Sequence, residues 1–213
     1  IESSGIMDIF RLPKYAYYFY RSQREPTLKI ATNWNENSDF GHIKVFSDCE
    51  EVALYLNNKL IGKQKATQDE ISDKLPRPPF IFDAKQFEPG TLKAIGYINN
   101  KTVMEYTVAT AGEANHIKLT YDRSGTALKA DGADVVFVYA TVCDAKDNPV
   151  PLSNASINFS VKGNGKLIGQ NPIAAEAGIA TILLQASATP GNITVEAKAQ
   201  GLMPAKINIT SVK

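Results

Sequence analysis

The sequence predicts an all-β chain of two consecutive β-sandwiches, preceded by one aromatic α-helix at the N-terminus. Two observations carry this prediction. Residues 13–24 hold many aromatics with no Gly and no internal Pro, whereas from residue 27 onward apolar and polar residues alternate in short runs separated by turn residues. The length of 213 residues, with 44% hydrophobic and 21% charged residues, suits two globular domains of about 100 residues each.

The helix is predicted over residues 13–24. Pro13 suits the first helical turn, because its missing N–H would have no partner there, and a second proline ends the segment. Tyr15 and Phe19 are spaced i, i+4, and six of the 19 aromatic residues fall between residues 10 and 20. A helix that is apolar over most of its circumference is typical of a buried element. We expect it to pack on the first sandwich or against a neighbouring chain.

The first sandwich is predicted from seven short strands with turn residues between them. Asn57-Asn58 and Asn99-Asn100 are signals of tight hairpin turns. The strands are predicted at residues 27–33, 42–47, 51–57, 59–65, 80–83, 91–98 and 102–110.

A small polar stretch at residues 110–115 is predicted to link the two sandwiches. Beyond it, Ile157, Phe159 and Val161 alternate with polar residues, as expected for a strand with one buried face. Residues 135–142 are apolar on both faces, which predicts a central strand of the second sandwich.

The composition argues against several classes of partner. The chain has 23 Lys and Arg against 22 Asp and Glu, so its formal net charge of +1 gives no basic surface for nucleic acid or an anionic membrane. No apolar run approaches the roughly 18–20 residues of a membrane helix. The chain opens without Met and without a signal peptide, so we interpret it as part of a longer protein or a processed chain.

The histidines and cysteines predict no catalytic or metal site. His42 and His116 each lie near the start of a predicted strand, with no second histidine nearby. Cys49 and Cys143 lie in different predicted domains and lack the CxxC spacing, so we expect two free thiols. We therefore predict no metal and no cofactor.

The DAKDN stretch at residues 144–148 is a candidate for calcium, because it holds two aspartates and an asparagine. It lacks the D-x-D-x-D-G spacing of a calcium loop. Asp and Asn favour turns through hydrogen bonds to their own backbone, so we predict a hairpin turn here.

Trp34 is the residue that the sequence singles out for ligand binding. It lies between two predicted strands with Asn33 and Asn35 beside it, and a tryptophan face flanked by amides can stack on a sugar ring. Tyr97 and Tyr121 are the candidates to complete such a carbohydrate platform. The alternative is that Trp34 packs under its own loop, since a buried tryptophan covers a large apolar area.

The chain resembles the C-terminal region of glycoside hydrolase family 2, of the β-galactosidase type. GIMDIFRLPKYAYYFYRSQ (residues 5–23) resembles the last helix of that family's catalytic barrel, and VFSDCEEVALYLNNKLIGK (45–63) resembles the next module. FEPGTLKAIGY (87–97) and VATAG (108–112) continue that module. Residues 117–151, with LKADGADVVFV and VCDAKDNPVP, resemble the family's C-terminal Ig-like domain. The departures are small and turn-compatible.

The resemblance implies three parts: residues 1–26 as the last helix of a missing barrel, 27–112 as a first Ig-like sandwich, and 113–213 as a C-terminal one. In that family two glutamates of the barrel perform the hydrolysis with retention. Neither family motif occurs here, so we predict no catalytic residue in this chain. The residues expected to contact the parent chain's barrel are Phe10, Tyr15, Tyr18 and Phe19.

These observations favour a non-catalytic accessory region that braces the barrel and shapes one rim of its substrate cleft. A carbohydrate-binding module built on Trp34 is the alternative, and an adhesin-like Ig module is a third interpretation. We also expect a periplasmic or secreted bacterial parent, with homo-oligomer contacts through the N-terminal helix as a further partner hypothesis.

Overall fold

The computed structural model describes residues 5–66, 68, 72–122 and 125–213. The chain divides into two compact units, one up to Thr110 and one from Ala111, which we call the first and second modules. The first four residues of the segment predicted to belong to a barrel lie outside the described part. Within the described residues both modules are built from β-strands, and one short helix precedes the strands of the first module, which confirms the predicted fold class.

The first module contains the helix and two antiparallel sheets. One sheet has the strand order β1-β2-β5 and the other has the order β4-β3-β6-β7. The elements are α1 (Tyr15–Ser22), β1 (Leu28–Ile30), β2 (Ile43–Ser47), β3 (Glu51–Leu56), β4 (Lys59–Lys65), β5 (Phe80–Phe82), β6 (Thr91–Ile98) and β7 (Lys101–Ala109).

The helix is shorter than the sequence predicts at both ends. Pro13 is not in the first helical turn but forms a β-bridge with Met7, and Lys14 has an extended backbone with ψ 170°. Only from Tyr15 onward is the backbone helical, and the helix ends at Ser22. The proline therefore directs the chain into the helix from a turn without belonging to the helix itself.

The two asparagine pairs form the hairpin turns that the sequence predicts. Asn57 and Asn58 have φ values of 50° and 65°, and Asn99 and Asn100 have 50° and 61°. Positive φ at both central residues is the mark of a type I′ turn, whose twist matches that of the flanking strands. These turns join β3 to β4 and β6 to β7.

The second module packs two sheets with strand orders β12-β14-β10-β8 and β13-β11-β15-β16-β9. All pairs are antiparallel except β16 with β9. The elements are β8 (His116–Tyr121), β9 (Leu128–Lys129), β10 (Val135–Cys143), β11 (Ser156–Gly163), β12 (Gly165–Ile168), β13 (Ile173–Ala174), β14 (Ile179–Ala186), β15 (Gly191–Lys198) and β16 (Ala205–Val212).

The core of the second module lies between the inner faces of its sheets. β10 pairs with β14 on one side and β8 on the other, which confirms it as a central strand. Ile157 and Phe159 are buried while Asn158 and Ser160 are exposed, as the period of two requires. Each fully buried aliphatic side chain contributes about 1.5–3 kcal/mol to folding.

Both cysteines are free and buried, Cys49 in the first module and Cys143 in the second. Within the described residues, no helix has the length and apolar character needed to cross a bilayer.

Gly90 is expected to be intolerant of a side chain. It has φ 151°, and a β-carbon there would overlap the side chain of Asn57. Asn57 accepts a hydrogen bond from Thr91 N at 3.0 Å and donates one to Glu88 Oε1 at 2.8 Å, so displacing it opens this turn. We expect Gly90→Ala to lower the free energy of unfolding of the first module by about 1–3 kcal/mol.

The measurement is a urea titration followed by the fluorescence of Trp34, which is the only tryptophan and therefore reports on the first module. Gly41→Ala is the control, because its new β-carbon would meet only Asp39 Oδ1, at an ordinary 3.7 Å. Equal midpoints for the two variants would contradict the prediction.

Candidate functional site

The N-terminal residues form an ordered turn that leads into α1. The Asp8 carboxylate accepts hydrogen bonds from the backbone N–H groups of Phe10 (2.9 Å) and Leu12 (2.8 Å). Arg11 has φ 65°, and the Met7–Pro13 bridge closes the turn. The Asp8 side chain thus fixes the backbone of this turn, from which the apolar side chains project.

One side of α1 packs on the first module. The Phe19 ring lies edge-on to Phe46 of β2, with centroids 5.6 Å apart, and both rings bury apolar surface. The Tyr15 hydroxyl donates to Asn33 Oδ1 at 2.8 Å, and burial raises the pKa of this hydroxyl to about 12. The hydroxyl therefore stays protonated and keeps this contact at neutral pH.

The C-terminal end of α1 is fixed by a neighbouring loop. Gln23 Nε2 donates to the Arg77 carbonyl at 2.7 Å, and the Arg77 guanidinium donates to the Ser22 carbonyl at 2.8 Å. The Arg77 N–H donates to Gln23 Oε1 at 3.2 Å. The bond to Ser22 satisfies a carbonyl at the helix end that has no partner within the helix, and the two bonds of the Gln23 side chain hold the loop against it.

Several other side chains of the preceding turn and of α1 are exposed, and the Tyr15 ring is partly exposed although its hydroxyl contacts Asn33. Ile9 is 81% exposed and Tyr20 is 59% exposed. We call the exposed surface of this segment the apolar face, and it consists of Ile6, Met7, Ile9, Tyr15 and Tyr20. Five of the 13 exposed large hydrophobic side chains among the described residues thus fall within one stretch of 15 positions. The predicted burial of the helix is correct for Phe19 and only partial for Tyr15.

The residues predicted to contact a barrel divide between this face and the module beneath it. Tyr15 contributes to the apolar face, whereas Phe10, Tyr18 and Phe19 are half-buried. Tyr18 lies under the ammonium group of Lys29, which is 4.5 Å from its ring centroid.

A cleft of about 390 Å³ lies beside α1, next to the apolar face. The Lys29 ammonium group lies over the rings of Tyr18 and Tyr106 and donates to the Tyr106 hydroxyl. The residues that line the cleft are Tyr18, Arg21, Pro26, Thr27, Leu28, Lys29 and Tyr106.

The prediction that Trp34 offers a carbohydrate platform is wrong. Its side chain has 0% exposure in the core of the first module, beside Phe87 at 5.3 Å between ring centroids. Trp34 Nε1 donates to the Glu88 carbonyl at 3.0 Å, and the Trp34 carbonyl accepts from Thr110 Oγ1 at 3.0 Å. Trp34 thus contacts Phe87 and Glu88 through its indole and Thr110 through its backbone carbonyl, and the packing alternative is the correct one.

The two tyrosines named with Trp34 form no platform with it. Tyr97 lies on β6 and is half-buried, with the Lys63 ammonium group 4.2 Å from its ring centroid. Tyr121 lies at the end of β8 and packs against the core of the second module. Because the Trp34 indole is fully buried, it cannot form an exposed platform with either ring.

A group of metal-ligating side chains lies at one end of the second module. His116 on β8 is the register partner of Cys143 on β10. Asp147 follows in the next turn and lies 2.7 Å from His116 Nε2 through its Oδ1 atom. The ligand atoms of these three residues all lie within 4.8 Å of one another. From the sequence we predict no metal site, because these three residues show no metal-ligand spacing along the chain.

Asp144 is the buried acceptor that shapes this turn. It is 4% exposed, and its carboxylate accepts hydrogen bonds from Gly112 N, Lys146 N, Asn148 N and Asn148 Nδ2 at 2.8–2.9 Å. These donors hold the pKa of Asp144 far below its usual range. The carboxylate is therefore a turn cap, as the sequence predicts for the DAKDN stretch, and it is saturated with donors.

Comparison with known proteins gives the family. Residues 117–208 match the model of the glycoside hydrolase family 2 C-terminal domain 5, and residues 42–104 match a domain of unknown function, DUF4982. The chain is 36% identical over 213 residues to a β-galactosidase of Thermoanaerobacter pseudethanolicus, covering 91% of this chain. Together these matches support a C-terminal part of a glycoside hydrolase family 2 enzyme. The resemblance read from the sequence is thereby confirmed, and the second module carries this family's C-terminal domain 5.

Two further family 2 comparisons agree. The chain is 31% identical to the β-galactosidase BoGH2A of Bacteroides ovatus, over 97% of this chain. A solved family 2 β-glucuronidase superposes with a TM-score of 0.77 at 28% identity, over 99% of this chain. The chain spans only 28% and 25% of the two β-galactosidases and 23% of the solved β-glucuronidase.

Replacing Trp34 tests its role as the centre of the first module. We expect Trp34→Ala to lower the free energy of unfolding by about 3–5 kcal/mol, because it leaves a large cavity and an unpaired Glu88 carbonyl. Calorimetry or circular dichroism would measure this, since the variant has no tryptophan fluorescence. Trp34→Phe is the control and should lose less. Near-native stability of Trp34→Ala would contradict a packing role.

Replacing Asp144 tests the turn of the second module. We expect Asp144→Ala to lower the free energy of unfolding of this module by about 2–3 kcal/mol, because four donors lose a charged acceptor. Asp131→Ala removes an exposed turn cap with two backbone donors and should cost less. Calorimetry would measure both, and unchanged Trp34 fluorescence would show that the first module is intact. A loss no greater than that of Asp131→Ala would refute the assignment.

Proposed function

We propose that this chain is a non-catalytic accessory region of a β-galactosidase-like family 2 glycoside hydrolase, and that the catalytic barrel of the parent enzyme packs on the apolar face. The observation that carries the proposal is the apolar face itself. It is built on an ordered turn and on a helix fixed at its C-terminal end, yet Ile9 and Tyr20 are largely exposed.

The energetic argument concerns the cost of this exposure. Fully burying an exposed large apolar side chain contributes about 1.5–3 kcal/mol, and Ile9 and Tyr20, which are 81% and 59% exposed, would gain most from a partner. The turn formed by Asp8 holds the face in shape, so little ordering entropy would be lost when the partner packs on it. This chain covers only 28% and 25% of the two β-galactosidases it resembles, so a parent enzyme of similar length would also contain a barrel that could be this partner.

The described carboxylates support a structural role. Hydrolysis with retention uses two carboxyl groups about 5–5.5 Å apart, one of which must stay free for nucleophilic attack. Here several of the described carboxylates accept backbone N–H groups or pair with lysine, as at Asp8, Asp48, Asp131, Asp144 and Glu51. We do not propose carbohydrate binding through Trp34, because its ring is buried.

The test compares the same substitutions in this chain alone and in the full-length enzyme. We expect Ile9→Asp and Tyr20→Asp to leave the unfolding midpoint of the isolated chain nearly unchanged, because both side chains are exposed there. In the full-length enzyme they should lower the midpoint and the yield of active protein, because they place a charge in the barrel contact.

Leu152→Asp is the matched control, because Leu152 is 64% exposed in the second module and lies outside the apolar face. Equal effects of all three substitutions in the full-length enzyme would contradict the proposal. A stable dimer of the isolated chain, dissociated by Ile9→Asp, would show that a second copy covers the face. Turnover of a nitrophenyl β-galactoside by the isolated chain would refute the non-catalytic role.

A further inference from the structure

The second module holds a group of donors that the accessory role does not use. His116, Cys143 and Asp147 place a nitrogen, a sulfur and an oxygen within 4.8 Å of one another. We propose that these three side chains bind a divalent transition-metal ion of the zinc class, with one coordination position left for water. The inference is independent of the barrel contact, which concerns the other module.

Strand register brings the first two donors together. β8 and β10 are antiparallel, and their last register pair is His116 with Cys143. Side chains of directly opposed residues leave the sheet on the same face, with β-carbons about 4.5–5.5 Å apart. The imidazole and the thiol are therefore neighbours for as long as the sheet is formed.

The turn after β10 supplies the third donor. Asp147 has φ 67°, a left-handed conformation that is uncommon for residues other than glycine. The turn is fixed by the Asp144 carboxylate, which accepts from Lys146 N and Asn148 N, and it returns to β10 through the Cys143–Pro149 bridge. The backbone thereby holds Asp147 Oδ1 at 2.7 Å from His116 Nε2.

The separations suit one ion. Zinc binds nitrogen and oxygen at about 2.0–2.2 Å and thiolate sulfur at about 2.3 Å, so tetrahedral donors lie roughly 3.3–3.8 Å apart. The three donors lie within 4.8 Å of one another, and on binding the His116 Nε2 and Asp147 Oδ1 atoms would separate from 2.7 Å to about 3.3 Å. Cys143 is buried, whereas Asp147 is exposed, so the ion would enter from the side of the turn.

Binding exchanges protons for the metal charge. The Cys143 thiol loses its proton to solvent. The proton that His116 Nε2 shares with Asp147 Oδ1 in the free site also leaves, to solvent or to Nδ1, so that Nε2 offers its lone pair and Oδ1 its charge to the ion, and no electron is transferred. Lys118 Nζ donates to the other oxygen of Asp147, Oδ2, at 3.1 Å. Burial raises the pKa of the Cys143 thiol, and Asp147 and Asp144 raise it further, whereas Lys118 lowers it.

The donor set also selects the class of metal. A thiolate with an imidazole suits zinc, cobalt and cadmium, whereas calcium and magnesium take six or more oxygen ligands. Three protein ligands leave the fourth position for water. The ion would join the start of β8, the end of β10 and the turn between β10 and β11 into one unit.

Cobalt(II) is the probe, because it occupies zinc sites and is coloured. Titrating the metal-free chain with Co²⁺ under reducing conditions should give one equivalent of binding, with a thiolate-to-cobalt absorption band and the visible bands of a tetrahedral ion. Added zinc should displace the bound cobalt and thereby remove these absorption bands. Added zinc should also raise the unfolding temperature of the second module, because it binds only the folded form.

Cys143→Ser should abolish the thiolate band, and Asp147→Asn and His116→Gln should each weaken Co²⁺ binding at least about tenfold. Cys49→Ser is the matched control, since Cys49 is the other buried thiol and should leave every signal unchanged. If Cys143→Ser does not fold, the affinity of Asp147→Asn for Co²⁺ still tests the proposal, because Asp147 lies in an exposed turn. The proposal is overturned by the absence of a thiolate band in the native chain, or by a band that persists in Cys143→Ser or disappears in Cys49→Ser.

Discussion

The antiparallel register between neighbouring strands is the constraint on which both modules depend. Because side chains alternate between the two faces of a strand, a slip of one residue would exchange the buried and exposed faces of a whole strand. In the first module the type I′ turns at Asn57-Asn58 and Asn99-Asn100 set this register locally. In the second module the same constraint decides that His116 lies opposite Cys143 and not opposite a neighbour.

Most of the fold can be predicted from the sequence, because strand alternation and turn residues are local patterns. The bounds of β4 and β6 are those that the alternation predicts, since each strand needs only its own pattern and the turn beside it. The helix was predicted too long because the bridge between Met7 and Pro13 is a contact between separate positions, which takes Pro13 out of the helix. Local periodicity carries no information about such a bridge.

The roles of the functional residues are harder to predict from the sequence, because they depend on contacts between residues that are far apart along the chain. Trp34 has flanking amides that suit a sugar site, but its partners are Glu88 and Phe87, more than 50 positions along the chain. His116 and Cys143 lie far apart in the sequence, and only the pairing of β8 with β10 makes them neighbours. The signal that could have found this pair is a predicted strand register, which the alternation alone does not fix.

Two aspartates of one turn show that environment decides what a residue type can do. Asp144 is buried with four donors around its carboxylate, so it has no capacity for another ligand and serves the backbone alone. Asp147 is three positions further and exposed, and it faces only His116 and Lys118 in the contacts described above. The saturated carboxylate holds the turn that orients the second one. A turn that reads as an ordinary hairpin in the sequence thus supplies both a structural cap and a donor available for coordination.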